Sequence, residues 1–383
     1  MLLRFSFENF RSFRKRTTLD MNAKRQTTLN DVLIRNGKKR VLPCAVLYGA
    51  NASGKSNVLL AMHVFSNIIL SGTVSAHPAM ELFPFLHDGN TAPISFETDF
   101  IVDETEQFIY SLAFSVEPLN PNGKRFILNE KLEKICVNNQ VMLFHRTQND
   151  IEIGNDRQAL KILGYKDHPA LLLTLKESMI KNLDGQTLFL TAGFKSTICK
   201  AIANKIIDFL TAGIVSMHDV STNLQKIIEL EVKEEGTADE FIIEDELFNK
   251  ILKAADCGPQ RIGIYVEGKD KRDKKQLQIV SNYRDAEILS EHMESTGTLR
   301  LLRFSLLLKI ALSNGLCLMV DELDNALHPE IIKAIIALFN NPDINKKGAQ
   351  LIFTTHNPIY MDRALLRRDQ ILFTEKDPDT YES

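Results

Sequence analysis

Residues Gly49 to Ser56 read GANASGKS, and their flanks matter as much as the motif. An apolar run, Cys44–Tyr48, leads in, and apolar residues at helical spacing (Val58, Leu59, Met62, Phe65, Ile69) follow. A GxxxxGK[ST] stretch in that setting requires a strand, a tight glycine loop and then a helix. The glycines let the backbone curl around an anion, and the amides at the helix start point towards it. Such a unit needs parallel strands beside it, covered by helices on both faces, so these strands should read as continuous apolar runs. Two more runs fit, Leu316–Val320 and Leu351–Phe353, with helices expected over Leu299–Leu312 and Glu330–Phe339.

The remainder divides into regions of different pattern. Leu3, Phe5 and Phe7 alternate with Arg4, Ser6 and Glu8, which predicts a short N-terminal β-ribbon. Ser95–Val102, Phe108–Val116 and Arg125–Val137 read as antiparallel strands. Residues 155 to 260 read as mainly helical and acidic, with nine acids and one lysine between Glu229 and Glu246. Strands are expected at Arg261–Val266 and Gln276–Ser281, around the basic turn from Glu267 to Lys275. At 383 residues with no Pro/Gly/Ser linker, a nested arrangement is expected rather than two separate beads. Its parts are 1–154, a β-lobe with the glycine loop; 155–284, an inserted and mainly helical lobe; and 285–383, the second half of the α/β unit. No apolar run approaches the roughly 20 residues needed to span a bilayer. The five cysteines are scattered without a CxxC pair, which points to a reducing, cytoplasmic setting and away from zinc or a disulfide framework.

Phosphoryl chemistry needs a metal-holding carboxylate and a group that orients water. The loop supplies Gly49, Asn51, Ala52, Ser53, Gly54 and Asn57 around the anion, Lys55 to bridge β- and γ-phosphates, and Ser56 to place its hydroxyl on Mg²⁺. The apolar strand at 316–320 ends in Asp321, a metal carboxylate, and Glu322, a general base for water. The 351–353 strand ends in Thr354, Thr355 and His356, and the histidine is placed to meet the γ-phosphate. Ser295 and Gly297, before the helix near Leu299, form a second anion cradle, for which an ordinary helix cap is the alternative.

Taken in order, these motifs resemble the ABC-type ATPase head, and their details resemble its RecF/SMC/OLD branch. Asn9–Phe13 as NFRSF, GANASGKS, Asp321–Pro329 as DELDNALHP and Thr354–Pro358 as TTHNP are similar to OLD-like AAA-type ATP-binding proteins of bacterial defence and abortive-infection loci. The resemblance covers about 1–130 and 285–375. It implies a P-loop NTPase fold of α/β class, ATP and Mg²⁺ as cofactors, and a head-to-head homodimer or higher homo-oligomer with ATP sandwiched between subunits. Ser295 and Gly297 then stand where a signature would reach the γ-phosphate of the other subunit, and Leu323, Asp324 and Asn325 where a D-loop would cross the interface. Glu294–Thr298, ESTGT, keeps only part of that signature, and Phe83–Gly89 has no Q-loop glutamine. The sequence has no long heptad run for a coiled-coil arm and little length after His356 for an appended TOPRIM nuclease.

The expectation is therefore an ATPase acting as sensor or scaffold for a separate protein effector in antiviral defence. The alternative is a RecF-like ATP-dependent DNA clamp, resting on the basic residues Arg11–Arg25, Lys38–Arg40 and Lys269–Lys275 in a chain of net charge −3. The cluster Asp99, Asp103, Glu104 and Glu106 reads as solvated loop acids rather than a nuclease site. A transporter role is disfavoured, and no membrane partner is expected.

Overall fold

The structure, a computed structural model, describes residues 1–75, 82–86, 91–117, 124–137, 139–181, 184–216, 240–243, 261–269, 275–284, 286–290, 294, 296–325 and 327–383. At its centre lies a five-stranded parallel sheet. The strands are β5 (Cys44–Tyr48), β11 (Ile214–Ser216), β16 (Cys317–Val320), β17 (Gln350–Thr355) and β18 (Ile371–Phe373), in the order β11-β16-β17-β5-β18. Every residue of β5, β16 and β17 is buried, as a sheet covered on both faces demands. Alternation splits each strand between two cores. Cys44, Val46, Tyr48, Leu318, Val320, Leu351 and Phe353 face helices α5 (Thr296–Asn314) and α6 (Pro329–Asn340). Ala45, Leu47, Met319 and Ile352 face the core built around helix α1 (Lys55–Ser71).

Above α1 lies a seven-stranded antiparallel sheet, ordered β10-β9-β8-β7-β6-β1-β2. Its strands are β1 (Leu2–Glu8), β2 (Thr17–Asp20), β6 (Ile94–Val102), β7 (Glu106–Phe114), β8 (Ile127–Ile135), β9 (Gln140–Thr147) and β10 (Ile151–Ile153). The N-terminal alternation thus enters a full sheet rather than a separate ribbon, because β1 pairs with both β2 and β6. Phe65 of α1 packs its ring against Phe5, Phe96 and Tyr110. Gln350 ties the two sheets together: its Oε1 accepts from the Leu2 amide at 2.7 Å and its Nε2 donates to the Leu2 carbonyl at 2.9 Å. A short hairpin, β3 (Ile34–Asn36) and β4 (Lys39–Val41), precedes β5.

The expected helical span, 155–284, proves mixed. Helices α2 (Arg157–Leu163), α3 (Pro169–Lys181) and α4 (Lys200–Thr211), with a π-helix at Leu190–Ile198, carry residues in the same apolar core as α1 and the antiparallel sheet. β11 then joins the parallel sheet, paired with β16, although it lies within the sequence span assigned to the insertion. Beyond it the described elements are strands: β12 (Glu240–Ile243), β13 (Arg261–Lys269), β14 (Lys275–Tyr283) and β15 (Ala286–Leu289). The hairpin at 261–283 agrees with the sequence reading. Most of the acidic run 229–246 and residues 270–274 of the basic turn lie outside the described residues. Among the described residues no helix is long and apolar enough to cross a membrane.

Candidate functional site

Three loops leave the same edge of the parallel sheet. β5, β16 and β17 pair in parallel, so Gly49, Asp321 and His356 all follow the carboxyl ends of neighbouring strands. Open parallel sheets bind ligands at that edge. The glycine loop holds its shape for two different reasons. At Gly49 a Cβ would collide with Ser53 Oγ and with the carbonyl and hydroxyl of Thr374. Gly54 is left-handed, at φ 105°, and caps α1 without a side-chain hydrogen bond. Ala52 is also left-handed, at φ 62°.

Not every loop residue faces outward. Ser53 is buried, and its hydroxyl meets Thr374 Oγ1 at 2.8 Å. Asn57 Nδ2 donates to Ser12 Oγ at 2.8 Å, which fastens α1 to the NFRSF turn. In that turn Phe10 and Phe13 are buried, and the Phe13 ring lies against Gly54, so the motif packs against the loop. Asn51, Ala52 and Ser56 are exposed.

Lys55 is the centre of the site. Only 5% exposed, its Nζ donates to the carbonyls of Gly49 and Ala50 at 2.9 Å each and reaches His356 Nδ1 at 3.4 Å. Lysine has no acceptor, so in this contact Nδ1 accepts. Burial lowers the Lys55 pKa below its ordinary value, and the charges of Asp321, Glu322 and Asp324 partly oppose that shift. The predicted Lys55, Asp321, Glu322 and His356 are therefore in one place.

Hydroxyls from β17 organise the carboxylates. Thr354 Oγ1 donates to Asp321 Oδ1 at 2.6 Å and accepts from the Glu322 amide at 2.7 Å. Thr355 Oγ1 donates to Asp324 Oδ2 at 2.8 Å and accepts from the Asn357 amide at 3.0 Å. Asn325 Nδ2 donates to Glu322 Oε2. Glu322 is held at φ 48°, a costly conformation for a side chain of this kind and one found at functional sites. Sequence reasoning assigned no role to Thr354, Thr355 or the Asn325 contact. The available signal was two consecutive hydroxyl residues ending a buried strand beside the Asp-Glu strand.

Elsewhere the structure revises particular expectations. Gly297 lies in the first turn of α5, not in a turn before it, and Ser295 lies outside the described residues. Asp324 points inward to Thr355. Asp99 is not a loop acid: it is buried within β6, where it accepts from Arg4 at 3.0 Å and Gln107 at 2.6 Å. Glu106 pairs with Lys134 and Lys205 and Asp103 with Lys205, while Asp103 and Glu104 are exposed in the turn between β6 and β7. Several N-terminal cations are also paired, Arg16 with Glu97 at 2.5 Å and Lys15 with Glu382 at 3.3 Å.

The donor set fits a nucleoside triphosphate with Mg²⁺. The first turn of α1 begins at a left-handed glycine with no described side chain capping it, and a desolvated ammonium stands beside it. Ser56 and Asp321 would hold the metal, and one carboxylate and one hydroxyl suit an ion that takes its other ligands from phosphate and water. Among the described residues there is no group of three or more His, Cys, Asp or Glu that would cage an ion without a nucleotide.

No curated protein matches the chain. Solved structures similar to it include the "SmcHead bound to the C-winged helix domain of ScpA", 13% identical over 97% of this chain and 95% of that one, at a TM-score of 0.41. Also similar is the "SMC head domain from Thermotoga maritima", 14% identical over 95% and 92%, at 0.37. An Smc head with an extended coiled coil bound to the C-terminal domain of ScpA, derived from Pyrococcus furiosus, is 14% identical over 97% and 94%, at 0.41. Residues 44–362, most of the chain, match the family model described as "AAA domain, putative AbiEii toxin, Type IV TA system", and the chain belongs to that AAA-domain family.

Proposed function

We propose that this chain is a Mg²⁺-dependent ATPase whose nucleotide state drives subunit association and thereby controls a separate protein effector. The observation that carries the reading is the convergence of Lys55, Asp321, Glu322 and His356 at one sheet edge, with Lys55 3.4 Å from His356. The loop amides and Lys55 bind the β- and γ-phosphates. Ser56 and Asp321 would hold Mg²⁺, which would supply neutralisation of the phosphate charge. Glu322 takes a proton from water, and His356 Nε2–H is a donor available to the γ-phosphate. Lys55 rests on the Gly49 and Ala50 carbonyls, so phosphate oxygens compete with those carbonyls for the ammonium.

Two further observations bear on the effector. The matching family's description names a toxin of a type IV toxin–antitoxin system, which supports work alongside a second gene product. Asp99, Asp103 and Glu106 of the acid cluster are ion-paired or hydrogen-bonded, which favours an effector function located elsewhere. Antiviral defence is the setting we infer for it, from the motifs at both chain ends.

Light scattering of Glu322→Gln with Mg-ATP tests the switch, because a slowed base leaves bound nucleotide in place. ATP-dependent association without DNA is the expected result. Association that appears only with added duplex DNA would favour a DNA clamp instead, and a particle of constant mass in all conditions would overturn the switch.

Proton linkage supplies a second test. Lys55 is charged below its lowered pKa, and a bound phosphate restores the charged form. Above that value binding must take up a proton, so affinity falls by up to tenfold per pH unit. The decline should begin below the ordinary lysine value of 10.5. A fluorescent ATP analogue titrated from about pH 8 to 11 measures it, with Lys55→Arg as a variant whose charge stays fixed. An affinity that is flat with pH in the native protein would contradict the assignment of Lys55 to the phosphates.

A further inference from the structure

Beneath the phosphate loop lies a set of polar atoms that the roles above do not use. The hydroxyls of Tyr48 and Tyr360 and Oδ1 of Asp324 are buried, and among the described residues none finds a hydrogen-bond partner. Buried polar atoms are nearly always paired, so three unpaired oxygens around one site need a reason.

Local structure brings them together. Tyr48 ends β5 and stands in register with Thr355 of β17. Thr355 in turn donates to the other oxygen of the same Asp324 carboxylate. Tyr360 closes the short turn Pro358–Tyr360 that follows His356, and it is fully buried. Burial, then the Asp324 charge, pushes the Tyr360 phenol up to about 12. Burial, followed by Tyr360 and Asp324, raises Tyr48. Both phenols therefore keep their protons and are donors, while Asp324 Oδ1 is an acceptor without a donor.

Nucleotide binding changes what Asp324 needs. The Asp324 charge is felt by Lys55, whose ammonium rests on the Gly49 and Ala50 carbonyls. A triphosphate claims that ammonium and adds negative charge beside the carboxylate. Asp324 then requires another source of compensation, and a charged acceptor gains more from a hydrogen bond than a neutral one. The two phenolic O–H groups are buried, lack partners among the described residues, and both feel the Asp324 charge. We propose that Tyr48 and Tyr360 are positioning residues that donate to Asp324 Oδ1 when a triphosphate fills the loop. That bond fixes the turn Leu323–Asn325, whose Asn325 holds Glu322. The proposal rests on the nucleotide-binding reading above.

The test uses the full chain and two readouts, the melting temperature without ligand and the affinity for a fluorescent ATP analogue with Mg²⁺. Tyr360→Phe deletes a hydroxyl that has no partner among the described residues, so the ligand-free protein should melt at or above the native temperature. Affinity should fall about tenfold, the worth of one hydrogen bond to a charged group. Tyr48→Phe should act in the same direction. In an Asp324→Ala background, Tyr360→Phe should cost nothing further, because its acceptor is gone. Three results would overturn the proposal: a ligand-free melting point lowered by several degrees, unchanged affinity, or an equal loss in both backgrounds. A native protein that fails to bind the analogue would overturn the nucleotide-binding reading as well, whereas native binding with unaltered variants would overturn this inference alone.

Discussion

Glu322→Gln is expected to lower ATP turnover by roughly 10²–10⁴, the usual contribution of a positioned general base, with nucleotide affinity close to native. The substitution keeps the shape of the side chain, and its amide oxygen can still accept from Asn325 Nδ2. The backbone at this position is set by the Thr354 hydroxyl, which the change does not touch. What is lost is the ability to take a proton from water. Asp321→Asn should behave differently, because it weakens the hold on Mg²⁺ and therefore lowers affinity as well as rate. A steady-state phosphate-release assay over a range of ATP concentrations separates the two outcomes. Turnover at the native rate in Glu322→Gln would remove Glu322 as the base.

Much of this site was legible in the sequence because its residues sit at the ends of buried strands. Runs such as Cys44–Tyr48 and Leu316–Val320 have no polar face to confuse with a helix, and the motif residues follow them directly. Parallel pairing then places every strand's carboxyl end on one edge. Two short members of the sheet, β11 and β18, were missed for a related reason: three residues are too few for any period to show. β11 also lies in a stretch dominated by helical spacing, which concealed its partnership with β16. Asp99 was misplaced because an acid in a strand normally faces solvent. Only the structure reveals Arg4 and Gln107 waiting for it. The inward turn of Asp324 and the paired hydroxyls of Thr354 and Thr355 depend on contacts between residues about thirty positions apart, which local patterning does not encode.

Lys55→Met should weaken ATP binding by about 10²-fold or more while leaving the empty protein's stability within about 1 kcal/mol of native. Removing the cationic partner of a desolvated charge pair costs about 2–5 kcal/mol, and each 1.4 kcal/mol is tenfold in affinity. The stability expectation comes from the balance of forces on the ammonium. Its pKa is lowered, so in the empty fold the cost of desolvation outweighs the pull of Asp321, Glu322 and Asp324. Methionine keeps the aliphatic stem against its neighbours and removes the buried charge. The three acids lose a nearby cation, but Thr354, Asn325 and Thr355 continue to donate to them. Denaturant unfolding of the ligand-free protein, run beside analogue binding, distinguishes a lost ligand from a lost fold. A variant that unfolds several kcal/mol more easily would mean that Lys55 holds the loop together in the empty state, and its conserved affinity would mean that the phosphates bind elsewhere.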